Sequence, residues 1–291
     1  MDTYLDYARR GLNAWWRYLL AIVAAIVIWL LLDVAIIFGL TVSRLMPPDV
    51  AAELTKPSHP MVFFAGNGIA FATLVAGLVI AAGLIQRKRF TDIIGQWRWS
   101  RFAAGLAIWG ACLVAATLVD FALKPSGFRW IASPATATLA VAAFFGLGAQ
   151  TFAEEFIFRG YLTQAFLLAT KRPLAAAILS GLVFGSLHIP NGIPQAVNAV
   201  LFGVVASLIT IRTGSIAFSY GMHLINNLVG GVVVVSANDV LSGSPGLISQ
   251  STPGLLWWDV ISGVAVLAVP LWLVLRRRPD DPNSTQASLS G

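Results

Sequence analysis

Charge is scarce in this sequence: Asp, Glu, Lys and Arg make up 11% of 291 residues against 57% hydrophobic ones, and the mean hydropathy is +0.79. So little charge cannot clothe a water-soluble globule of this size, and so much apolar content excludes a disordered chain. Cysteine is almost missing. Cys112 stands alone inside an apolar run, which rules out an intrachain disulfide and a thiolate metal cluster and leaves a small packing residue. Histidine occurs three times, and no His-Glu-x-x-His pattern is present. The net charge of +6 comes from 19 Lys+Arg against 13 Asp+Glu, scattered in short clusters between apolar runs. That distribution fits membrane topology and not a phosphate-tracking patch, so no nucleic-acid partner is expected.

What the chain has in abundance is long apolar runs. A helix needs about 20 residues to cross a hydrocarbon core roughly 30 Å thick. Eight runs qualify: Tyr18–Ser43, Met61–Ile85, Arg101–Leu123, Ala135–Ala169, Pro173–Ile189, Ile193–Ile211, Ser215–Ser236 and Leu256–Leu275. They lack the alternation of barrel strands, so the expected fold is all-α, a polytopic integral membrane bundle of about eight transmembrane helices in contact with lipid. The first run is too long for a signal peptide. The expected organisation is a cytoplasmic segment at 1–17, a bundle at 18–275 with its catalytic core near 135–236, and a polar cytoplasmic tail at 276–291. With the N-terminus inside, fourteen Lys/Arg fall on the cytoplasmic side and Arg44, Lys56, Lys124 and Arg129 outside, which favours both termini in the cytoplasm. The connector Arg44–Pro60 is rich in proline and includes His59, and a Gly/Ser-rich connector follows Ser236. The fourth run is long for one crossing and is expected to tilt or break near Gly146 and Gly148.

Ionisable side chains at membrane depth are costly, so each calls for a partner or a purpose. Asp33 and Asp120 stand alone and read as helix contacts or interface residues. Three later runs hold the rest. In Ala153–Arg159, Glu155 and Arg159 are spaced i,i+4 with the acid first, the favoured order for pairing, whereas Glu154 lies about 100° round the helix with no base three or four positions on. Glu154 is therefore the acid left free to act as a base. Phe184 precedes His188 by one turn and can shield its imidazole, and His223 and Asn227 share a helical face as two polar donors, with Asn226 turned away. From the expected cytoplasmic ends, Glu154, His188, His223 and Asn227 lie at roughly 25, 24, 15 and 21 Å of depth. One intramembrane cavity could hold all four.

These residues form three ordered motifs: Glu-Glu-x-x-x-Arg at Glu154, Glu155 and Arg159; Phe-x-x-x-His at Phe184 and His188; His-x-x-x-Asn at His223 and Asn227. Between about Phe152 and Asn227 the sequence resembles the CPBP family of intramembrane proteases, also called the CAAX protease, bacteriocin-processing or Abi family. The resemblance implies an all-helical membrane endopeptidase acting on a peptide or protein substrate, and a bacterial plasma membrane is the expected location. It implies that Glu154 and His188 polarise a water, that His223 and Asn227 donate to the oxyanion, that Glu155 and Arg159 orient the set and that Phe184 packs beside it. Glu154, His188 and His223 could also supply the two-His, one-carboxylate donors of a catalytic zinc, but they come from three runs, and the reading leans to metal-independent hydrolysis. Two other functions use the same residues: a proton-coupled transporter, which lacks a matching pair of broken helices, and a non-enzymatic immunity or regulatory partner.

Overall fold

The computed structural model describes residues 3–45, 60–236, 244–251 and 257–276. Most of the proline-rich connector with His59, most of the Gly/Ser-rich connector and the polar tail lie outside them. Each of the eight apolar runs carries a helix: α2 (Trp15–Val42), α3 (Pro60–Gln86), α5 (Trp99–Leu123), α6 (Pro134–Glu154), α8 (Pro173–Ser186), α9 (Ile193–Thr213), α10 (Ala217–Leu228) and α11 (Trp257–Arg276). Two short helices were not foreseen, α1 (Tyr4–Arg9) and α4 (Phe90–Ile94), and α7 (Thr163–Thr170) continues the line of α6. Five of the apolar segments, including the continuous stretch Pro134–Thr170, are long and apolar enough to cross a bilayer. The protein is an integral membrane protein.

Local chemistry sets the helix ends. Pro134 opens α6 behind Ser133, whose backbone amide donates to the Thr136 hydroxyl at 3.0 Å, and Pro173 opens α8. Gly214 closes α9 in the left-handed region at φ +72°, where a side chain would be strained. Outside the all-α expectation is a three-stranded sheet in the order β1 (Phe128–Trp130), β3 (Ile248–Gln250), β2 (Val234–Ser236), with β1 antiparallel and β2 parallel to the middle strand.

The helices face outward with apolar side chains. Leu31, Val34, Phe38, Leu84, Leu118 and Phe145 are all exposed, as are Trp15 and Trp99 at the starts of α2 and α5. In water such a belt is unfavourable; against lipid it costs nothing, and tryptophans suit its edges. Packing between helices therefore rests on close backbone approach. A Cβ on Gly105 of α5 would lie 2.1 Å from the Phe218 carbonyl, and one on Gly221 of α10 would lie 2.2 Å from the Phe102 carbonyl. The reciprocal pair brings the backbones of α5 and α10 together. Asp33 accepts from the Thr73 hydroxyl at 2.5 Å, the α2–α3 contact expected of it.

The long fourth segment does not break at Gly146 and Gly148. Gly146 instead admits α3, since a Cβ there would meet the Phe64 carbonyl at 2.4 Å. The irregularity falls later, where Glu155–Leu162 winds as a π-helix between α6 and α7. Such turns are rare and concentrate at functional sites.

Candidate active site

The π segment delivers the charged residues of the first motif to the centre of the bundle. Glu155 and Arg159 are fully buried, with Arg159 Nη1 3.2 Å from Glu155 Oε1. The contact is an ion pair without hydrogen-bond alignment, because Nη1 meets the distance limit but finds no acceptor in line. The guanidinium lies over the ring of Phe184 at 4.1 Å and near Phe202 at 5.6 Å, positions that stabilise a desolvated cation.

His223, on α10, stands between the two acids. Its Nδ1 donates to Glu155 Oε1 at 2.9 Å, and its Nε2 lies 3.4 Å from Glu154 Oε2. The ring is buried against Phe202 and Phe184, at centroid distances of 5.2 and 5.9 Å. Glu154 is the most accessible of these polar groups, with its side chain 14% exposed against 7% for His223. It is not without partners. Gln150, one turn earlier on α6, donates to Glu154 Oε1 at 3.1 Å, and Asn67 of α3 donates to Gln150 Oε1 at 2.7 Å. The Asn67–Gln150 relay fixes one carboxylate oxygen and turns the other toward His223. Thus α3, α6 and α10 together orient Glu154.

Gln150 carried a signal that the sequence reading passed over, namely its i,i+4 spacing to Glu154. Asn67 and Phe202 carried none.

The other predicted residues stand at the edge of this cluster. His188 lies in the turn after α8, half-buried, with its Nδ1 3.0 Å from the Phe184 carbonyl and its ring 4.6 Å from that of Phe184. A carbonyl only accepts, so Nδ1 carries the proton and Nε2 presents a lone pair. His188 makes no hydrogen bond to Glu154. Asn227 accepts from Asn226 at 3.2 Å, and Asn226 accepts from Trp109 at 3.1 Å, so Asn226 joins α10 to α5.

The zinc donor set is not assembled. Among the described residues no three His, Cys, Asp or Glu side chains group as metal ligands, and both nitrogens of His223 face glutamates. The residues as placed do not fit that ion. A cavity of about 420 Å³ is lined by Ala72, Phe145, Gly148, Phe152 and Tyr220 among others. Phe152 and Glu154 are about 200° apart round their helix, so this cavity opens on the face of α6 turned away from the acid.

Fold and site together define a polytopic membrane protein with a desolvated Glu/His/Glu/Arg array. Residues 134–229 match the family described as "Type II CAAX prenyl endopeptidase Rce1-like". The matched range runs from the start of α6 to just past the end of α10. The chain is also similar to the "Uncharacterized protein YyaK" of Bacillus subtilis (strain 168), at 28% identity over 279 residues, covering 90% of this chain and 93% of the relative. No solved structure matches it.

Proposed function

We propose that the protein is an intramembrane endopeptidase that hydrolyses peptide bonds of membrane-associated substrates, with Glu154 as general base. One observation carries the reading: a single imidazole bridges two adjacent glutamates, of which one is neutralised by a buried arginine and the other is the more accessible. With His223 protonated, the set of two acids, Arg159 and His223 has no net charge, which lowers the cost of keeping it out of water.

In this mechanism Glu154 Oε2 takes a proton from a water as the water oxygen bonds to the peptide carbonyl carbon. The proton then passes to the leaving amide nitrogen as the carbon–nitrogen bond breaks. Arg159 and Glu155 hold His223 in one orientation, so its Nε2 stays beside the working carboxylate. The lone pair of His188 Nε2 suits it to align the water. Asn227 supplies an amide donor for the developing oxyanion, a kind of contact worth about 2.7–4 kcal/mol. His223 thereby takes the role of bridge in place of the oxyanion role implied by the resemblance.

The distribution of Lys and Arg supports a topology with both termini in the cytoplasm. A proton pathway is less well supported: the hydrogen-bonded chain from Asn67 through Gln150 stops at Glu154, and beyond His223 and Glu155 the polar array ends at the fully buried Arg159.

The test is cleavage of quenched fluorescent peptides by purified protein in liposomes. Glu154→Gln and His223→Ala should each abolish turnover while circular dichroism shows an intact helical fold. Undiminished cleavage by Glu154→Gln would remove the assignment.

A further inference from the structure

The short helix α1 is built into the core of the bundle. Thr3 and Asp6 form a capping box that starts it, and Tyr4 and Ala8 are buried. Its far end is tied down by Lys88, whose Nζ donates to the Ala8 carbonyl at 2.8 Å, where a cation suits the end of a helix. Just beyond, Arg10 pairs with Asp92 at 3.0 Å and the Leu12 amide donates to Gln86. The Tyr4 hydroxyl reaches furthest: it donates to the carbonyl of Arg159 and shares that bond with the carbonyl of Gly160 at 3.1 Å.

Those two carbonyls lie where the π winding returns to α. The last bond of the wide turn runs from the Thr163 amide to the Phe158 carbonyl. When pairing drops from i+5 to i+4, one acceptor is skipped, and the residue after Phe158 is Arg159. A buried carbonyl without a donor is costly, and Tyr4 supplies the donor. The neighbouring carbonyl is held in the same way, since the hydroxyls of Thr163 and Ser180 both reach Phe158 O at 2.7 Å. From the other side, Gly160 lies so close to α4 that a Cβ would meet Ile93 Cγ2 at 2.8 Å.

We infer that Tyr4 is a positioning residue: by holding the backbone of Arg159 it sets the Arg159–Glu155–His223 line that orients Glu154, and the N-terminal helix is a working part of the catalytic core. The kinetic side of this inference rests on the endopeptidase reading; the structural side does not. Tyr4→Phe keeps the ring in its buried site and removes only the hydroxyl. Tyr7→Phe, on the same helix, serves as the control, because the Tyr7 ring meets Arg10 by its face.

The experiment uses the full chain in liposomes, with peptide turnover over a range of pH and hydrogen exchange of the 155–164 amides by mass spectrometry. Tyr4→Phe should lower kcat about five- to twentyfold, the loss expected for one buried hydrogen bond, with KM within about twofold. The pH–rate profile should shift, and the 155–164 amides should exchange faster than in the wild type, with no such change in Tyr7→Phe. Wild-type exchange in Tyr4→Phe overturns the inference, whatever happens to kcat, and so does a change in KM alone. If the wild type cleaves no peptide, the endopeptidase reading falls by itself, and the exchange measurement still decides the role of Tyr4.

Discussion

The Glu155–Arg159 pair can be tested apart from catalysis, because its removal in halves and as a whole should have opposite effects. Both side chains are fully buried, and the carboxylate oxygen 3.2 Å from Arg159 is the one that accepts the His223 bond at 2.9 Å. Arg159→Met keeps an unbranched side chain over Phe184 but leaves Glu155 with His223 alone. Stranding a buried charge in this way costs about 3–5 kcal/mol. Glu155→Leu should cost a similar amount, since Arg159 then has no bonded carboxylate. The double variant Glu155→Leu/Arg159→Met removes both charges, and replacing a buried pair by apolar groups of like volume is often close to neutral. Most of the loss should therefore return. The assay is equilibrium unfolding in mixed detergent micelles, followed by tryptophan fluorescence, with peptide cleavage measured on the same samples. Cleavage should stay lost in the double variant, because Nδ1 of His223 has no acceptor there. A cost under about 1 kcal/mol for Arg159→Met, or a double variant no more stable than either single one, would refute the reasoning.

Other outcomes follow from the same geometry. Burial pushes the Lys88 ammonium down to about 8 against the opposing influence of Asp92, so the folded state gives up this proton before the unfolded state does. Relative to a Lys88→Met variant, thermal stability should rise as pH increases from about 8 to the ordinary lysine value of 10.5, and an unchanged difference across that window would contradict it. Gly221→Ala would drive a methyl to 2.2 Å from the Phe102 carbonyl, two residues from His223. It should cost about 1–3 kcal/mol in the unfolding assay and depress cleavage as well. Deleting Ile157 removes the extra residue of the π turn and restores α pairing; the protein should still fold but lose about a hundredfold in turnover, as a displaced carboxylate implies, and retained turnover would count against a role for the turn.

Much of the bundle was legible because lipid imposes a plain rule on sequence. The eight apolar runs lie within a few residues of the helices except where local chemistry intervenes. Thus α8 stops at Ser186, short of Ile189, because Pro190 disfavours helix before it and Gly192 follows with φ +109°. Glu155 and Arg159 were legible as a pair because their spacing is a property of one helix. The double engagement of His223 was not, since it depends on how α10 sits against the π turn. Thr3-x-x-Asp6 did carry the signature of a helix start, yet a six-residue helix has no apolar run to draw attention to it. The small sheet escaped for a like reason: three-residue strands are too short to show alternation.

The π turn explains how consecutive glutamates can serve one imidazole. In an α-helix neighbours diverge by about 100°, which would send one acid to His223 and the other to a different wall. A wider turn rotates less per residue, so Glu155, its first member, stays closer in direction to Glu154, the last residue of α6. Residues four apart also come more nearly into line, which sets Arg159 behind Glu155 and not beside it. The ring nitrogens of one histidine then face two acids in different states: one paired with a buried guanidinium, the other held by an amide and the more accessible of the two. An acid held between a guanidinium and an imidazole makes a fixed acceptor, and the less buried acid, with one oxygen held by Gln150, is the one suited to act as a base. The cost of this winding is a carbonyl that the helix itself cannot satisfy, and the donor that answers it comes from residue 4, at the far end of the chain from the motif it supports.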